Sequence, residues 1–283
     1  MPPVVSVVVP VFNGMAHLPE AVDSILSQTH ADLDVVLVDG GSTDGSREWI
    51  QEVSDPRVRA LTMPAGTTAA GNWTAASKAS TGEFVKLLCQ DDLLKPEAIA
   101  LQLDDLQNHP SARFAIAQRD IIDARGNTLY SSRGCTGLPD GLVEGMSALK
   151  ASYLTGTNIF GEPLAILFRR EVLDAALPWN DDRPFLLDLE LYTRVLDTGP
   201  IVVRRQSIGA FRVSSSSWST RLVHEQSEQL RAWQAEIAEQ LVPAPAAGER
   251  RRARRGLHKQ MLLRRAAYRV LKARGAFRSQ PHG

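Results

Sequence analysis

Three short polar segments in the first half of the chain carry residue types that can do chemistry. They are Pro10-Val11-Phe12-Asn13-Gly14, Asp39-Gly40-Gly41-Ser42-Thr43-Asp44-Gly45 and Cys89-Gln90-Asp91-Asp92. An acid placed like Asp39 at the end of a strand can bind the ribose or base of a nucleotide. Paired carboxylates such as Asp91 and Asp92 can hold a hard divalent cation, which can bridge to a diphosphate.

Each of these segments directly follows an apolar run, and the runs alternate with helical patterns. The pattern predicts strands at Val4–Val11, Asp34–Val38, Val58–Leu61, Phe84–Leu88 and Phe114–Ala117, with helices at Ala16–Ser27, from Ser42 or Thr43, at Thr68–Ser80 and from Pro96 to Asn108. This order is typical of an α/β fold with a mostly parallel sheet flanked by helices. The three polar segments are therefore expected at one edge of the sheet, where such folds bind ligands.

The second half is less regular. Its pattern predicts a hairpin at Ile121–Tyr130, helices at Met146–Leu154, Asp188–Leu196 and Thr220–Leu241, a strand at Leu164–Arg169 and a linker at Pro243–Gly248. We expect a catalytic domain over residues 1–220, a helix and linker over 221–248, and a basic helical tail over 249–283.

Composition limits the class of protein. With 283 residues and 43% apolar residues, the chain can bury a sizeable core, which excludes wholesale disorder. The two cysteines, Cys89 and Cys135, are too few for a disulfide scaffold and fit a reducing cytoplasm. The longest apolar run, Val4 to Phe12, is too short to span a bilayer, and no basic segment of a signal peptide precedes it.

The formal net charge of zero conceals an acidic body and a basic tail. Twelve basic residues and one acid lie from Glu249 onward, which gives +11 there and −11 over residues 1–248. On a helical wheel the tail has two apolar stripes, one with Leu257, Met261, Tyr268 and Leu271, the other with Leu262, Leu263, Ala266 and Val270. One interpretation is a helix that holds the protein at an anionic membrane surface on its cytoplasmic side. The alternative is a stripe packed on the acidic body or on a second subunit, and nucleic acid is not an expected partner.

No G-x-G-x-x-G segment and no P-loop lysine motif occurs, so a nucleotide would have to be bound in another way. The segments VSVVVPVFNG, VDGGSTDGS, GEFVKLLCQDDLLKPEAI and DLELYTRV, in this order and spacing, resemble the inverting family 2 glycosyltransferases of GT-A fold. The resemblance covers roughly residues 4–220. It implies a GT-A sheet with an acceptor-side second half, in which Gly156–Pro163 is similar to the acceptor-side region.

The resemblance also implies roles for particular residues. Those matched to binding of a nucleotide-diphosphate sugar are Pro10, Val11, Phe12, Asn13, Asp39, Asn72, Gln90, Asp91 and Asp92. Asp91 matches the last acid of the DXD element, which holds the diphosphate through Mg²⁺ or Mn²⁺, and Asp188 matches the general base. The sequence departs from the family pattern at Gly40, in place of the second acid of D-D-G-S, and at Cys89, in place of the first acid of DXD.

The resulting hypothesis is an inverting hexosyltransferase-type enzyme that moves a sugar to a hydroxyl of a glycan or lipid-linked acceptor, in cell-surface polysaccharide or glycolipid synthesis. Two alternatives stay open: a non-catalytic nucleotide-sugar-binding protein, which the changes at Gly40 and Cys89 favour, and a sugar-phosphate nucleotidyltransferase, whose glycine-rich start is absent after Met1. Simpler explanations also exist for single residues. Asp188 can be a helix cap, and Asp91-Asp92 a solvated turn.

Overall fold

The computed structural model describes residues 5–214 and 225–273. The first half contains β1 (Val5–Val11), α1 (Leu18–Leu26), β2 (Leu33–Asp39), α2 (Ser46–Glu52), β3 (Val58–Thr62), α3 (Ala69–Lys78), β4 (Phe84–Leu87), β5 (Leu93–Leu94), α4 (Ala98–Asn108) and β6 (Phe114–Ile122). All five strands expected here from the sequence are present, and β5 is an additional strand of two residues. The predicted α/β class with a helix-flanked central sheet is confirmed.

The second half contains β7 (Thr128–Arg133), β8 (Gly141–Val143), α5 (Gly145–Thr155), β9 (Ile166–Arg169), α6 (Arg170–Ala176), α7 (Leu187–Leu196), β10 (Ile201–Arg212), α8 (Gln226–Gln240) and α9 (Ala247–Ala273). The expected hairpin is formed by β6 and β7. The expected strand at Leu164–Arg169 begins instead with a single 3₁₀ turn, Pro163–Ala165, before β9. The first residues of the helix expected over Thr220–Leu241 lie outside the described residues.

One ten-stranded sheet organises the molecule, with the order β3-β2-β1-β4-β9-β6-β10-β5 and with β7 and β8 at its margins. Every residue of β1 and β2 is buried. Val7 and Val9 pack into the core on one face, and Val8 into the core on the other face. This alternation explains why these strands appear in the sequence as nearly unbroken apolar runs.

The sheet is parallel over β3-β2-β1-β4 and between β6 and β10, whereas β9 runs antiparallel between β4 and β6. The sheet as a whole is therefore mixed, which the prediction of a mostly parallel sheet did not include. Because β9 is antiparallel to β4, its first residue lies beside the last residue of β4. The loop from Gly156 to Pro163 is thus brought to the same edge as the polar segments after β1, β2 and β4.

The C-terminal helix expected from the sequence is present, but it is not separated from the body. Ala253 and Leu257 of α9 are part of the main hydrophobic core, and Lys150 of α5 forms an ion pair with Glu249 at 2.7 Å. A Cβ atom on Gly256 would lie 2.5 Å from the Leu154 carbonyl oxygen, so only glycine allows α9 to approach α5 this closely. The segment Pro243–Gly248 therefore leads into a helix that packs on the rest of the protein.

The structure predicts that Leu257 contributes to the stability of the whole chain. Leu257→Ala should lower the free energy of unfolding by about 2–4 kcal/mol, because it leaves a cavity in the core. Leu262→Ala, on the exposed side of the same helix, should change it by less than about 0.5 kcal/mol. Urea denaturation of both variants measures the difference. Equal effects of the two substitutions would contradict the packing of α9.

Candidate active site

The loops after β1 and β2 lock each other in place. The backbone N–H of Asn13 donates to Ser42 Oγ at 2.9 Å, and the N–H of Thr43 donates to Asn13 Oδ1 at 2.8 Å. Asn13 has a φ of 51°, a conformation that asparagine tolerates better than most residues. The two loops thereby form one surface, from which the Phe12 ring projects with 52% of its area exposed.

The predicted first-loop residues divide into two groups. Pro10 and Val11 are buried within β1, and the Val11 carbonyl accepts hydrogen bonds from the Gly40 N–H at 2.7 Å and from Asn72 Nδ2 at 3.1 Å. Phe12 and Asn13 are exposed. An aromatic ring held on a rigid, open loop is a surface on which a nucleotide base can stack.

Asp39 is placed at the expected edge, but its carboxylate is 1% exposed. Oδ1 accepts from the Ser42 N–H at 2.9 Å, and Oδ2 accepts from Arg47 Nε at 2.8 Å. Burial alone would raise the pKa of Asp39, but the hydrogen bonds from Ser42 and Arg47 outweigh it and hold that pKa below its usual value. In this structure Asp39 shapes the loop, and a direct contact with a nucleotide would require Arg47 to move.

The change at Gly40 has a steric explanation. A Cβ atom on Gly40 would lie 2.8 Å from Asn72 Nδ2 and 3.2 Å from the Val11 carbonyl oxygen. Asn72 therefore occupies the space into which the side chain of a second acid would project. Asn72 is itself buried, and its Oδ1 has no hydrogen-bond partner among the described residues.

The segment after β4 is tied to the first loop by Gln90. Its side-chain amide accepts from the Phe12 N–H at 2.8 Å and donates to the Phe12 carbonyl at 3.0 Å. Gln90 thus fixes the backbone behind the exposed ring. Gln90 lies at the edge of the sheet where the sequence places it, and in this structure its side chain holds the first loop in position.

Asp91 and Asp92 differ in exposure. Asp92 is fully buried, with Oδ1 bonded to the Arg212 N–H at 3.0 Å and Oδ2 without a partner in the described part of the chain. Asp91 is half-buried, and its carboxylate accepts a hydrogen bond from its own backbone N–H. Burial raises the pKa of Asp91 to about 6, with the Arg212 charge opposing the rise, and burial together with Asp91 raises that of Asp92 well above its usual value.

Arg212, at the end of β10, holds this segment. Its guanidinium is buried, and it donates to the Asp91 carbonyl at 2.9 Å and to Glu20 Oε2 at 2.6 Å. The neighbouring thiol of Cys89 has its pKa raised well above the usual value by burial, and then by Asp92 and Asp91. Without a bound metal, the Cys89 thiol therefore keeps its proton at neutral pH.

Asp188 lies in the first turn of α7 and faces the loop that precedes β9. Its Oδ2 accepts from Asn158 Nδ2 at 3.0 Å, and its Oδ1 accepts from the Leu189 N–H at 2.7 Å. Asn158 is fixed in turn, because its Oδ1 accepts from the N–H groups of Phe160 and Gly161 at 2.9 and 3.2 Å. Burial, followed by the charge of Glu162, raises the pKa of Asp188 to about 7.

Glu162 and Arg119 complete the cluster. Arg119 Nε donates a hydrogen bond to Glu162 Oε2. Burial is the main cause of the raised pKa values of Asp92, Cys89, Asp188 and Tyr192, and the Glu162 charge raises each of these values further. The structure thus brings Asp91, Asp92 and Asp188 together with Glu162. Sequence reasoning missed Glu162, Asn158, Arg119 and Arg212. The Gly156–Pro163 loop was the signal for Asn158 and Glu162. Arg119 on β6 and Arg212 on β10 reach the site through strand pairings between segments distant in sequence.

The charges in this cluster fit a divalent cation. Four carboxylates, Asp91, Asp92, Glu162 and Asp188, face two guanidinium groups, Arg119 and Arg212. Within residues 5–214 and 225–273, no three His, Cys, Asp or Glu side chains converge closely enough to hold an ion by themselves. Mg²⁺ is commonly held by one or two carboxylates with substrate phosphates and water. The half-buried carboxylate of Asp91 would suit this mode as one protein ligand of a divalent cation.

The raised pKa of Asp188 predicts a pH-dependent stability difference. Ionised Asp188 is disfavoured in the folded chain, so the wild type loses stability as pH rises from about 4 to about 7. Asp188→Asn removes this loss, and its stability relative to wild type should rise between about pH 4 and about pH 7. Asp55→Asn is the control, because the hydrogen bonds from Arg57 lower the pKa of Asp55 to about 2, below this window. Denaturation curves that shift in parallel for wild type and Asp188→Asn would contradict the assignment.

Sequence relatives of this chain include glycosyltransferases and a polysaccharide synthase. An uncharacterized glycosyltransferase of Nostoc sp. is 31% identical over 180 residues, which cover 62% of this chain and 53% of that protein. The chondroitin synthase of Escherichia coli is 33% identical over 130 residues, 45% of this chain and 19% of that protein. The chain thus spans about half, or less, of the length of these two relatives.

Solved structures show the same fold at low identity. S. aureus TarS in complex with UDP-GlcNAc is similar with a TM-score of 0.63 and 17% identity, over 92% of this chain and 71% of that one. The mannosyltransferase PcManGT from Pyrobaculum calidifontis, in complex with GDP-Man and Mn²⁺, has a TM-score of 0.60 and 18% identity, over 98% of this chain and 81% of that one. The family model of glycosyl transferase family 2 matches residues 6–176, more than half of the chain, and the chain therefore belongs to that family.

Proposed function

We propose that this protein is an inverting glycosyltransferase that moves a sugar from a nucleotide-diphosphate sugar to a hydroxyl group of its acceptor. The observation that carries the proposal is one cluster at the edge of the sheet. Within it, the half-buried carboxylate of Asp91 follows β4 beside the nucleotide loops, and Asp188, with a pKa of about 7, lies in the first turn of α7. These are the two groups that a single displacement needs, a site for the leaving diphosphate and a base for the attacking hydroxyl.

The donor side is assigned to the interlocked loops after β1, β2 and β4. The exposed Phe12 ring would stack on the base, and Asn13 would contact the nucleotide from the same loop. Asp39, Asn72 and Gln90 would act mainly by shaping these loops, since their polar atoms already bond to Arg47, Val11 and Phe12. The complexes of TarS with UDP-GlcNAc and of PcManGT with GDP-Man support a nucleotide sugar as the donor class.

The diphosphate side is assigned to Asp91, with Mg²⁺ or Mn²⁺ as the cofactor. A bound divalent cation would neutralise the charge that develops on the leaving diphosphate. The Mn²⁺ complex of PcManGT supports this assignment. Asp92 would help to hold Asp91 in position, because its Oδ1 accepts a hydrogen bond from the Arg212 N–H and anchors the segment after β4 to β10.

Asp188 is proposed as the general base. With a pKa of about 7, a substantial fraction of Asp188 is ionised at neutral pH, and its carboxylate is a stronger base than an ordinary aspartate, as a general base near the operating pH requires. Asn158 and the Leu189 N–H fix the direction in which its oxygens point. With one base on the acceptor side and no second nucleophilic carboxylate required, a single attack opposite the leaving group inverts the anomeric carbon.

The main rival is a non-catalytic nucleotide-sugar-binding protein, which Gly40 and Cys89 favour. Two observations weigh against it: Asn72 occupies the space beside Gly40, and a binding protein does not need a carboxylate with a pKa near 7 held by Asn158.

We place the enzyme in the cytoplasm, with a glycan or lipid-linked acceptor in cell-surface polysaccharide or glycolipid synthesis. Within the described residues, no helix has the length and apolar character to cross a membrane.

Donor binding should depend on Asp91 and on a divalent cation. In a thermal-shift panel of nucleoside diphosphates and nucleotide sugars, the true donor should raise Tm through its binding to the folded chain, and more so with Mn²⁺. Asp91→Ala should weaken binding by about 10-fold or more and remove the Mn²⁺ effect. The exposed Asp23→Ala on α1 is the matched control. Equal wild-type affinity with Mn²⁺ and with EDTA would refute the metal assignment.

Turnover should depend on Asp188 without a matching effect on donor binding. Asp188→Asn keeps the shape of the side chain but cannot accept the proton, so kcat should fall by about 10²–10⁴-fold while donor affinity stays nearly unchanged. Asp197→Asn, at the other end of α7, is the control. Release of nucleoside diphosphate in the presence of acceptor measures both variants. Near-normal turnover by Asp188→Asn would remove it from the role of base.

A further inference from the structure

The C-terminal helix α9 has two faces, and among the side chains that the structure describes one face packs on the rest of the protein while the other is exposed. Ala253, Leu257 and Met261 face α5 and α8, so the described residues of the first apolar stripe are packed. In the second stripe, Leu262 and Leu263 are each 53% exposed. Together with Arg254, Arg255, His258 and Lys259, these two leucines line one shallow surface depression of about 490 Å³.

The cations around these leucines lack acidic partners. Arg251, Arg254, Arg255, Lys259, Arg265 and Arg269 are exposed, and none of them forms an ion pair with a residue of the described ranges 5–214 and 225–273. The single nearby acid of this helix, Glu249, is paired with Lys150 on the inner side. We call this surface, formed by the six cations with Leu262 and Leu263, the outer face of α9.

We propose that the outer face of α9 binds an anionic phospholipid surface and lies flat on it. Exposed leucines between cations suit the boundary of a bilayer, where the leucines enter the acyl region and the cations meet the phosphates. A polynucleotide would use the cations but would leave the leucines without an apolar partner. A second copy of this face would bring two cationic surfaces together, which like-charge repulsion opposes.

The inner side of α9 connects this surface to the acceptor side of the site. Arg264 donates to Thr157 Oγ1 at 3.2 Å, and its guanidinium lies 5.1 Å from the Phe185 ring centroid. Thr157 precedes Asn158, and Phe185 lies three residues before Asp188. A helix with its side chains is about 10–12 Å across, so the loop that orients Asp188 would lie about one helix diameter from the lipid. This last step rests on the proposed function and places a lipid-linked acceptor within reach of the base.

The test uses the full chain, because removal of α9 would also remove Ala253 and Leu257 from the core. Co-sedimentation is measured with vesicles of phosphatidylcholine containing about 30 mol % phosphatidylglycerol, and with vesicles of phosphatidylcholine alone. Wild type should bind the anionic vesicles and not the neutral ones. The triple variant Arg254→Gln, Arg255→Gln, Lys259→Gln should bind on the order of 100-fold more weakly, and Leu262→Ser with Leu263→Ser should abolish the binding that persists at high salt.

Matched controls separate this face from general surface charge. Lys78→Gln, Arg133→Gln and Arg231→Gln remove three exposed cations elsewhere and should leave vesicle binding close to wild type. Failure of wild type to bind anionic vesicles at low salt would overturn the proposal. So would binding to duplex DNA without binding to vesicles, or a dimer in light scattering that the Leu262 and Leu263 substitutions dissociate. The assay contains no donor or acceptor, so its outcome is independent of whether the proposed transferase activity holds.

Discussion

The buried guanidinium of Arg212 joins four parts of the chain at the candidate site. The guanidinium donates to the Asp91 carbonyl and to Glu20 of α1, and it approaches the Ala124 carbonyl of the β6–β7 turn. The backbone N–H of Arg212 donates to Asp92. A buried charge is tolerated only when its hydrogen bonds are satisfied, and loss of one partner leaves the other uncompensated. The end of β10 therefore fixes the segment that carries Asp91, the residue proposed to hold the donor diphosphate.

Around this point the carboxylates outnumber the cations, and burial makes the excess costly. The pKa values of Asp91 and Asp188 are raised to about 6 and about 7, mainly by burial. The same excess of negative charge favours a divalent cation beside Asp91 and a proton acceptor at Asp188. Buried carboxylates of like charge are unfavourable in the folded chain, but the same arrangement suits a site that binds a charged donor and removes a proton. Groups with perturbed pKa values are for this reason often found at functional sites.

The sequence was sufficient to predict the parallel strands β1 to β4 and the convergence of the polar segments that follow β1, β2 and β4, because both depend on local patterns. It could not predict that Asp39 is closed off by Arg47, or that Asn72 fills the space beside Gly40. Asn158 and Glu162 reach the site only because β9 inserts antiparallel between β4 and β6. The docking of α9 likewise depends on the approach of Gly256 to Leu154, a close contact between residues distant in sequence that carries no local signal.

The central claim is that the edge formed by β1, β2 and β4 binds the nucleotide diphosphate, with a cation between Asp91 and the phosphates. A crystal structure of the protein with its nucleoside diphosphate and Mn²⁺, in which the metal is located by anomalous scattering, tests it most directly. The account predicts a metal peak beside the Asp91 carboxylate, a base stacked on Phe12, and a diphosphate on the side of the cluster opposite Asp188. A nucleotide bound away from these loops, or a metal held by other residues, would contradict it.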